Sequence, residues 1–169
     1  PSAEGAAEDG GVRRVRERED EGPARREELA QRAEDVGRAR EVGAECIQVV
    51  YNRLQPGAEA ALLRRAAAAG LGVLARVPLA SGFLTGKYGA GASFEPGDVR
   101  SRKGADEIAR LAAEAQRIRR EEVPAGTSMA AWALAWCLRT RAVTAVIPGC
   151  KDPGQVRSNA AAALSARLA

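Results

Sequence analysis

Beyond Gly43 the chain repeats one rhythm, a short β-branched apolar run, a loop and a helical stretch, and this rhythm dictates how its strands can pair. Cys46 to Val50 is the first run. Gly57 to Ala69, rich in Ala and Leu, reads as a helix stopped by Gly70, and Leu71 to Val77 as a second strand. A long glycine-rich loop from Pro78 to about Gly104 leads to a helix near Asp106 to Glu122 and another from Thr127 or Ser128 to Arg139. Val143 to Ile147 is a third strand, ended by Pro148-Gly149. Asp152 stands at a helix N-cap position with Pro153 at the first helical position, so a last helix opens there. Strands separated by helices pair in parallel, because each crossover returns the chain to the same end of the sheet. The fold class is therefore α/β.

Three parallel strands leave two edges open, whereas parallel sheets are normally covered on both faces. Two architectures accommodate this: a small doubly wound domain, or the carboxyl-terminal part of a (β/α)8 TIM barrel. Because a barrel takes about 250 residues, a chain of 169 would hold roughly its last three units, incomplete as a barrel. The first 42 residues differ in kind. Up to about residue 28, Arg alternates with Glu and Asp around Gly10, Gly11, Gly22 and Pro23, the composition of a disordered leader. From Arg25 to Val42 a thin stripe of Leu29, Ala33, Val36 and Ala39 predicts a weakly amphipathic helix. We therefore divide the chain into a charged leader, 1–42, and a folded part, 43–169.

The net charge of +4 suggests nucleic acid until the chain is split. Residues 1–42 carry 9 Arg against 12 Asp or Glu, a balance of −3, and the remainder carries 17 cations against 10 acids, a balance of +7. The surplus sits in the folded part, where it suits an anionic small molecule, and no aromatic–cation interleaving typical of single-strand binders is present. The expectation is no nucleic-acid partner. No apolar run reaches the roughly 18 to 20 residues of a membrane span, so a soluble, cytoplasmic protein without a membrane partner is expected. Cys46, Cys137 and Cys150 lack C-x-x-C spacing and read as free thiols. Histidine is absent, which removes His-based triads and H-E-x-x-H metal sites; no metal site is expected.

In parallel α/β folds the working groups gather where strands end. At the first end, IQVVYN, Gln48 and Tyr51-Asn52 could hydrogen-bond a planar polar ring, or simply form a capped strand with an ordinary turn. At the second, RVPLASGFLTGKY, the glycines, hydroxyls and cations suit close backbone approach to a diphosphate, with Ser81 and Thr85 as donors, although the P-loop spacing is absent. FEPGDVRS, just downstream, contains a turn at Pro96-Gly97-Asp98 that could fold back over a groove. The third, VIPGCKDPGQVRSN, joins a strand to a helix start whose free amides attract an anion, with Lys151 beside them; an ordinary strand-turn-helix junction reads the same way.

Taken together, IQVVYN, PLASGFLTGKY, FEPGDVRS, LAWCL and VIPGCKDPGQVRSN, in this order and at these intervals, resemble the carboxyl-terminal half of an aldo-keto reductase, over about Ala44 to Leu164. The resemblance implies a (β/α)8 barrel that reduces aldehydes and ketones with NADPH. It implies that Gln48 holds the nicotinamide carboxamide, and that Arg76 stands near where many members stack an aromatic on the nicotinamide. Pro78, Leu79, Ala80 and Ser81 then match the loop around the pyrophosphate. Gly149, Cys150 and Lys151 match the turn at the adenosine 2′-phosphate, and Gln155 and Asn159 the residues facing the adenine. A cation at the 2′ position favours NADP over NAD. The Asp, Tyr, Lys and His that carry acid–base chemistry in this family come from the first half of the barrel, and no motif for them occurs here, so no catalytic residue is assigned. The implied protein is an NADP-dependent oxidoreductase acting on a small-molecule carbonyl, present as its cofactor-binding half and inactive alone. The alternative is a non-catalytic scaffold or nucleotide-sensing module that self-associates through its open strand edges.

Overall fold

The structure, a computed structural model, describes residues 36–89 and 91–166. The expected leader over 1–28 and the start of the helix expected from Arg25 lie outside the described residues. Helical residues 36–41 lead into strand β1 (Cys46–Val50). A helical run follows in three geometries: a 3-10 turn at Pro56–Ala58, a π turn at Glu59–Leu63 and a short α-helix, α1 (Arg64–Ala68). Strand β2 (Gly72–Arg76) comes next, then two 3-10 segments, Ala80–Thr85 and Val99–Arg102. Helices α2 (Ala105–Glu121) and α3 (Met129–Leu138), strand β3 (Ala145–Ile147) and helix α4 (Pro153–Ala166) complete the order.

The sheet order is β1-β2-β3 and both pairings are parallel, as the alternating elements require. Gly43 and Gly70 deliver the chain into β1 and β2 by the same device. Each has a positive φ, 79° and 65°, and in each case the following amide reaches back five residues, Ala44 to the Ala39 carbonyl and Leu71 to the Ala66 carbonyl. These are Schellman endings, in which a residue without Cβ closes the helix at no steric cost. β3 is shorter than expected from Val143. Thr144 stands in for the ladder there: its hydroxyl accepts from the Val73 amide at 3.0 Å and its own amide donates to the Val73 carbonyl at 2.9 Å.

Strand parity sorts the sheet into two faces. Val49, Val73 and Ala75 are buried against Leu62, Leu63, Ala66, Leu71, Cys137 and Val143, with Ile47 and Val146 packed on the same cluster. On the other face, Cys46, Gln48, Arg76 and Ile147 are exposed, and Ile147 retains 43% of its surface. A second cluster lies beyond the carboxyl end of β2. There α2 buries Ile108, Ala112, Ala115 and Ile118, one stripe at helical spacing, against Phe83, Leu84, Met129 and Ala133. α3 belongs to both clusters, giving Cys137 to the first and Met129 and Ala133 to the second. Its start was legible in the sequence: Ser128 is the N-cap, and its side chain accepts from the Ala131 amide.

Phe83 is 1% exposed and fills the second cluster, so Phe83→Ala should cost about 3–5 kcal/mol of unfolding free energy in chemical denaturation. An unchanged midpoint would show that this cluster does not hold the loop after β2.

Candidate functional site

The two loops singled out in the sequence leave the sheet side by side. Arg76 pairs with Ile147, and adjacent strands lie about 4.8 Å apart, so the chain enters Val77–Ser81 and Pro148–Lys151 at neighbouring points on the carboxyl edge. Gln48, on β1, lies opposite Leu74 one step earlier in the sheet and on the same open face as Arg76. The structure thus puts Gln48 and Arg76 on one face of the sheet and both loops at one end of it.

Within the first loop Pro78 is fully buried and Ala80 nearly so, while Leu79 is half-buried and Ser81 exposed. Three non-glycine residues in five adopt the left-handed region: Val77 at φ 55°, Ala80 at 48° and Ser81 at 54°. For a β-branched residue this is a true outlier, and such strain persists only where the surroundings over-determine it. Some of what determines it is visible. The Ala80 amide donates to the Val77 carbonyl at 2.9 Å, the Gly82 amide to the Leu79 carbonyl at 2.9 Å, and the Thr85 hydroxyl to the Gly82 carbonyl at 2.7 Å.

Asn52 and Tyr51 take the second of the two sequence readings, a capped strand with a turn. Instead of presenting a phenol and an amide to a ligand, both side chains are fully buried. The Tyr51 hydroxyl shares a hydrogen bond with Thr140 at 2.9 Å, and its ring packs 5.1 Å from Trp136. Asn52 accepts from the Leu54 and Gln55 amides, each at 3.0 Å, and donates to the Gln55 side chain and to the Val77 carbonyl, each at 3.1 Å. The parity of β1 is the reason: Val49 and Tyr51 fall on the core face, and Gln48 does not.

At the second loop Gly149, Cys150 and Lys151 are exposed. Helix α4 holds this turn from its first two turns. Asp152 accepts from the Gln155 amide at 2.9 Å, and the Gln155 side chain accepts from the Lys151 amide at 2.9 Å, a reciprocal arrangement close to a capping box. The Asn159 amide donates to the Cys150 sulfur at 3.2 Å, and the thiol lies 3.6 Å from the Pro148 carbonyl. Gln155 and Asn159 are half-exposed, so each shapes the turn while keeping part of its surface open.

The segment FEPGDVRS does fold back. The Asp98 amide donates to the Glu95 carbonyl at 3.1 Å, and Arg100 fastens the segment to the loop after β2. Its guanidinium sits 4.9 Å from the Tyr88 ring centre and 4.3 Å from that of Phe94, donates to the Tyr88 hydroxyl, and reaches the Ser81 carbonyl at 3.5 Å. It also donates to Asp98 Oδ1 at 2.8 Å. The sequence shows this turn but not the role of Arg100, since nothing local announces that two aromatic rings 5.1 Å apart will both pack against its guanidinium. The Arg100 side chain, then its backbone amide, hold the Asp98 carboxyl well below its ordinary 3.8, and the charge of Lys151 adds to the effect.

A carboxyl whose folded pKa is depressed contributes stability above its unfolded value and loses it only as pH falls through the lowered one. At pH 3.8, where an ordinary Asp is half protonated, Asp98 should still be ionised by carboxyl-carbon NMR. Arg100→Met should return its midpoint toward 3.8. A midpoint at the ordinary value in the native chain would contradict this clasp.

No curated protein sequence matches the chain significantly. Among solved structures, the glycerol dehydrogenase AKR11B4 from Gluconobacter oxydans superposes with a TM-score of 0.59 at 28% identity, over 74% of this chain and 39% of that one. The chain thus spans well under half the length of that relative. The sequence profile of the aldo/keto reductase family matches residues 26–168, most of the chain, and the chain belongs to that family.

Proposed function

We propose that this chain is the cofactor-binding part of an NADP-dependent oxidoreductase that reduces aldehydes or ketones. The observation that carries the reading is the juxtaposition of two loops on the carboxyl edge of β2 and β3. One is a left-handed run with an exposed Ser81, and the other an exposed Gly149–Lys151 turn held by α4. The donor set fits a dinucleotide. Gln48 offers an amide on the open face for a carboxamide. The 78–81 backbone and the Ser81 hydroxyl suit a pyrophosphate, and Lys151 suits a further phosphate. The chemistry that NADPH supplies when bound is hydride delivery to a carbonyl carbon. Arg76, on the same face as Gln48, is a cation where many relatives carry an aromatic, so it would contact the nicotinamide end by charge and hydrogen bonding rather than by stacking.

Protonation of the carbonyl oxygen needs a donor, and neither tyrosine of this chain is placed for it. Tyr51 is buried against Thr140, and Tyr88 is bonded to Arg100. With no histidine in the sequence, the acid–base groups belong to a part of the barrel outside these residues. Robust NADPH oxidation by the isolated chain across an aldehyde panel would sink this reading.

Among the described residues the outer edges of β1 and β3 carry no strand, and with the exposed Ile147 this favours a second reading, a non-catalytic scaffold that self-associates through those strands. A stable oligomer whose mass and thermal midpoint are indifferent to NADPH would support it over the first. Under the first reading, Lys151→Ala should weaken NADPH about tenfold or more, as loss of a charged hydrogen bond implies. NADH, which lacks the 2′-phosphate, should change by less than about threefold, both read by fluorescence titration. Equal loss for the two cofactors would remove Lys151 from the 2′ position.

A further inference from the structure

We infer that Asn52 is a positioning residue for the loop after β2: its side-chain amide pins the Val77 carbonyl and so holds Val77 in the left-handed conformation from which the 78–81 loop departs. The inference rests on the proposed role of that loop in holding a pyrophosphate.

Asn52 is a fully buried amide side chain, at 0% exposure. Its four hydrogen bonds divide into two jobs. The side-chain oxygen accepts from the Leu54 and Gln55 amides, which forms a turn at the end of β1 and is local. The nitrogen donates to the Gln55 side chain and, across 25 residues of sequence, to the Val77 carbonyl at 3.1 Å. That second bond joins the ends of two strands at the residue where the backbone departs from the extended region. Beside it the ladder also persists, with the Tyr51 amide donating to the Arg76 carbonyl at 3.3 Å.

Val77 is a poor residue for φ 55°, because both branches on its Cβ crowd the backbone there. Left alone, Val77 would relax to the extended region and carry Pro78 to Ser81 with it. The Val77 carbonyl is fixed from two directions, by Asn52 and by the Ala80 amide at 2.9 Å. The first bond originates on a buried, immobile side chain in the neighbouring strand. The second lies within the loop and moves with it. Asn52 is therefore what ties the loop's conformation to the sheet, so that the loop meets an anion already shaped and binding need not fund its ordering.

The test separates this role from general support of the fold. Asn52→Asp keeps oxygens for the Leu54 and Gln55 amides and loses the donor to Val77. Val77→Gly removes the steric penalty at φ 55°, since glycine adopts that region freely. The expected result is that Asn52→Asp weakens NADPH about tenfold in the otherwise native chain and less than about threefold alongside Val77→Gly. In the same variants the Val77 amide–α-proton coupling, read by NMR, should move from the left-handed to the extended value in Asn52→Asp. Should that variant fail to fold by circular dichroism, Asn52→Ser, which keeps an oxygen for the turn, carries the same comparison. An equal factor in both backgrounds, or a Val77 coupling unchanged by loss of the Asn52 donor, would overturn the inference. If the native chain binds no NADPH, the proposed cofactor role fails, and the Val77 coupling alone decides whether Asn52 is the pin.

Discussion

β2 is the one described strand with a partner on each edge, and most of what is distinctive in this chain hangs from its carboxyl end. Its pairing with β1 fixes Asn52 next to Val77, and its pairing with β3 fixes the Pro148 turn beside the loop that begins at Val77. Parallel register makes these ends coincide. In an antiparallel sheet of the same order the end of β2 would lie opposite the ends of β1 and β3, and the loop that begins at Val77 would meet neither Asn52 nor the Pro148 turn. The burial of Val73 and Ala75 against the helical layer keeps this strand in place, so an apolar contact on one face determines which polar groups stand at the end.

The helical layer is divided to match. One cluster supports the sheet, and the other supports the loop after β2, where Phe83 and Leu84 enter between α2 and α3. The second cluster explains how a loop with three left-handed non-glycine residues stays in one conformation. It is anchored by apolar burial at its far end, by Asn52 at its near end and by Arg100 from above, where the guanidinium meets Tyr88, Phe94 and the Ser81 carbonyl. Strain at one point is balanced by contacts at three others.

Much of this was legible in the residues. The strand and helix alternation of 46–77 and 143–166 follows from β-branched runs and from stops at Gly70 and Pro148. The α4 start follows from Asp152 and Pro153; the structure adds Gln155, whose amide donates to Asp152 and whose side chain accepts from the Lys151 amide. The π turn at Glu59–Leu63 was not legible, because an Ala/Leu run is equally compatible with α geometry. Between a ligand-facing Tyr51 and a capped strand the residues alone did not decide, since which face a strand's last residues take depends on the register of its partner. The left-handed Val77 left no signal, because nothing in a valine predicts φ 55°; an Asn two residues after a strand, with Gln55 three positions on, was the available clue to its partner. The assignment of Gln48, Arg76, 78–81, 149–151, Gln155 and Asn159 to a cofactor came from family resemblance, and what the geometry adds is that the loops after β2 and β3 leave neighbouring points of one edge, with Gln155 and Asn159 bonded to the second of them.

In the proposed function the loops after β2 and β3 act as one anion-binding edge for a dinucleotide phosphate. The most direct measurement is a titration of the isotope-labelled chain with NADPH, followed amide by amide. The account predicts that the amides of 79–81 and of 149–151 shift together and saturate at the same concentration, while those at the amino ends of the strands do not move. Shifts confined to one of the two loops, or none at either, would contradict it.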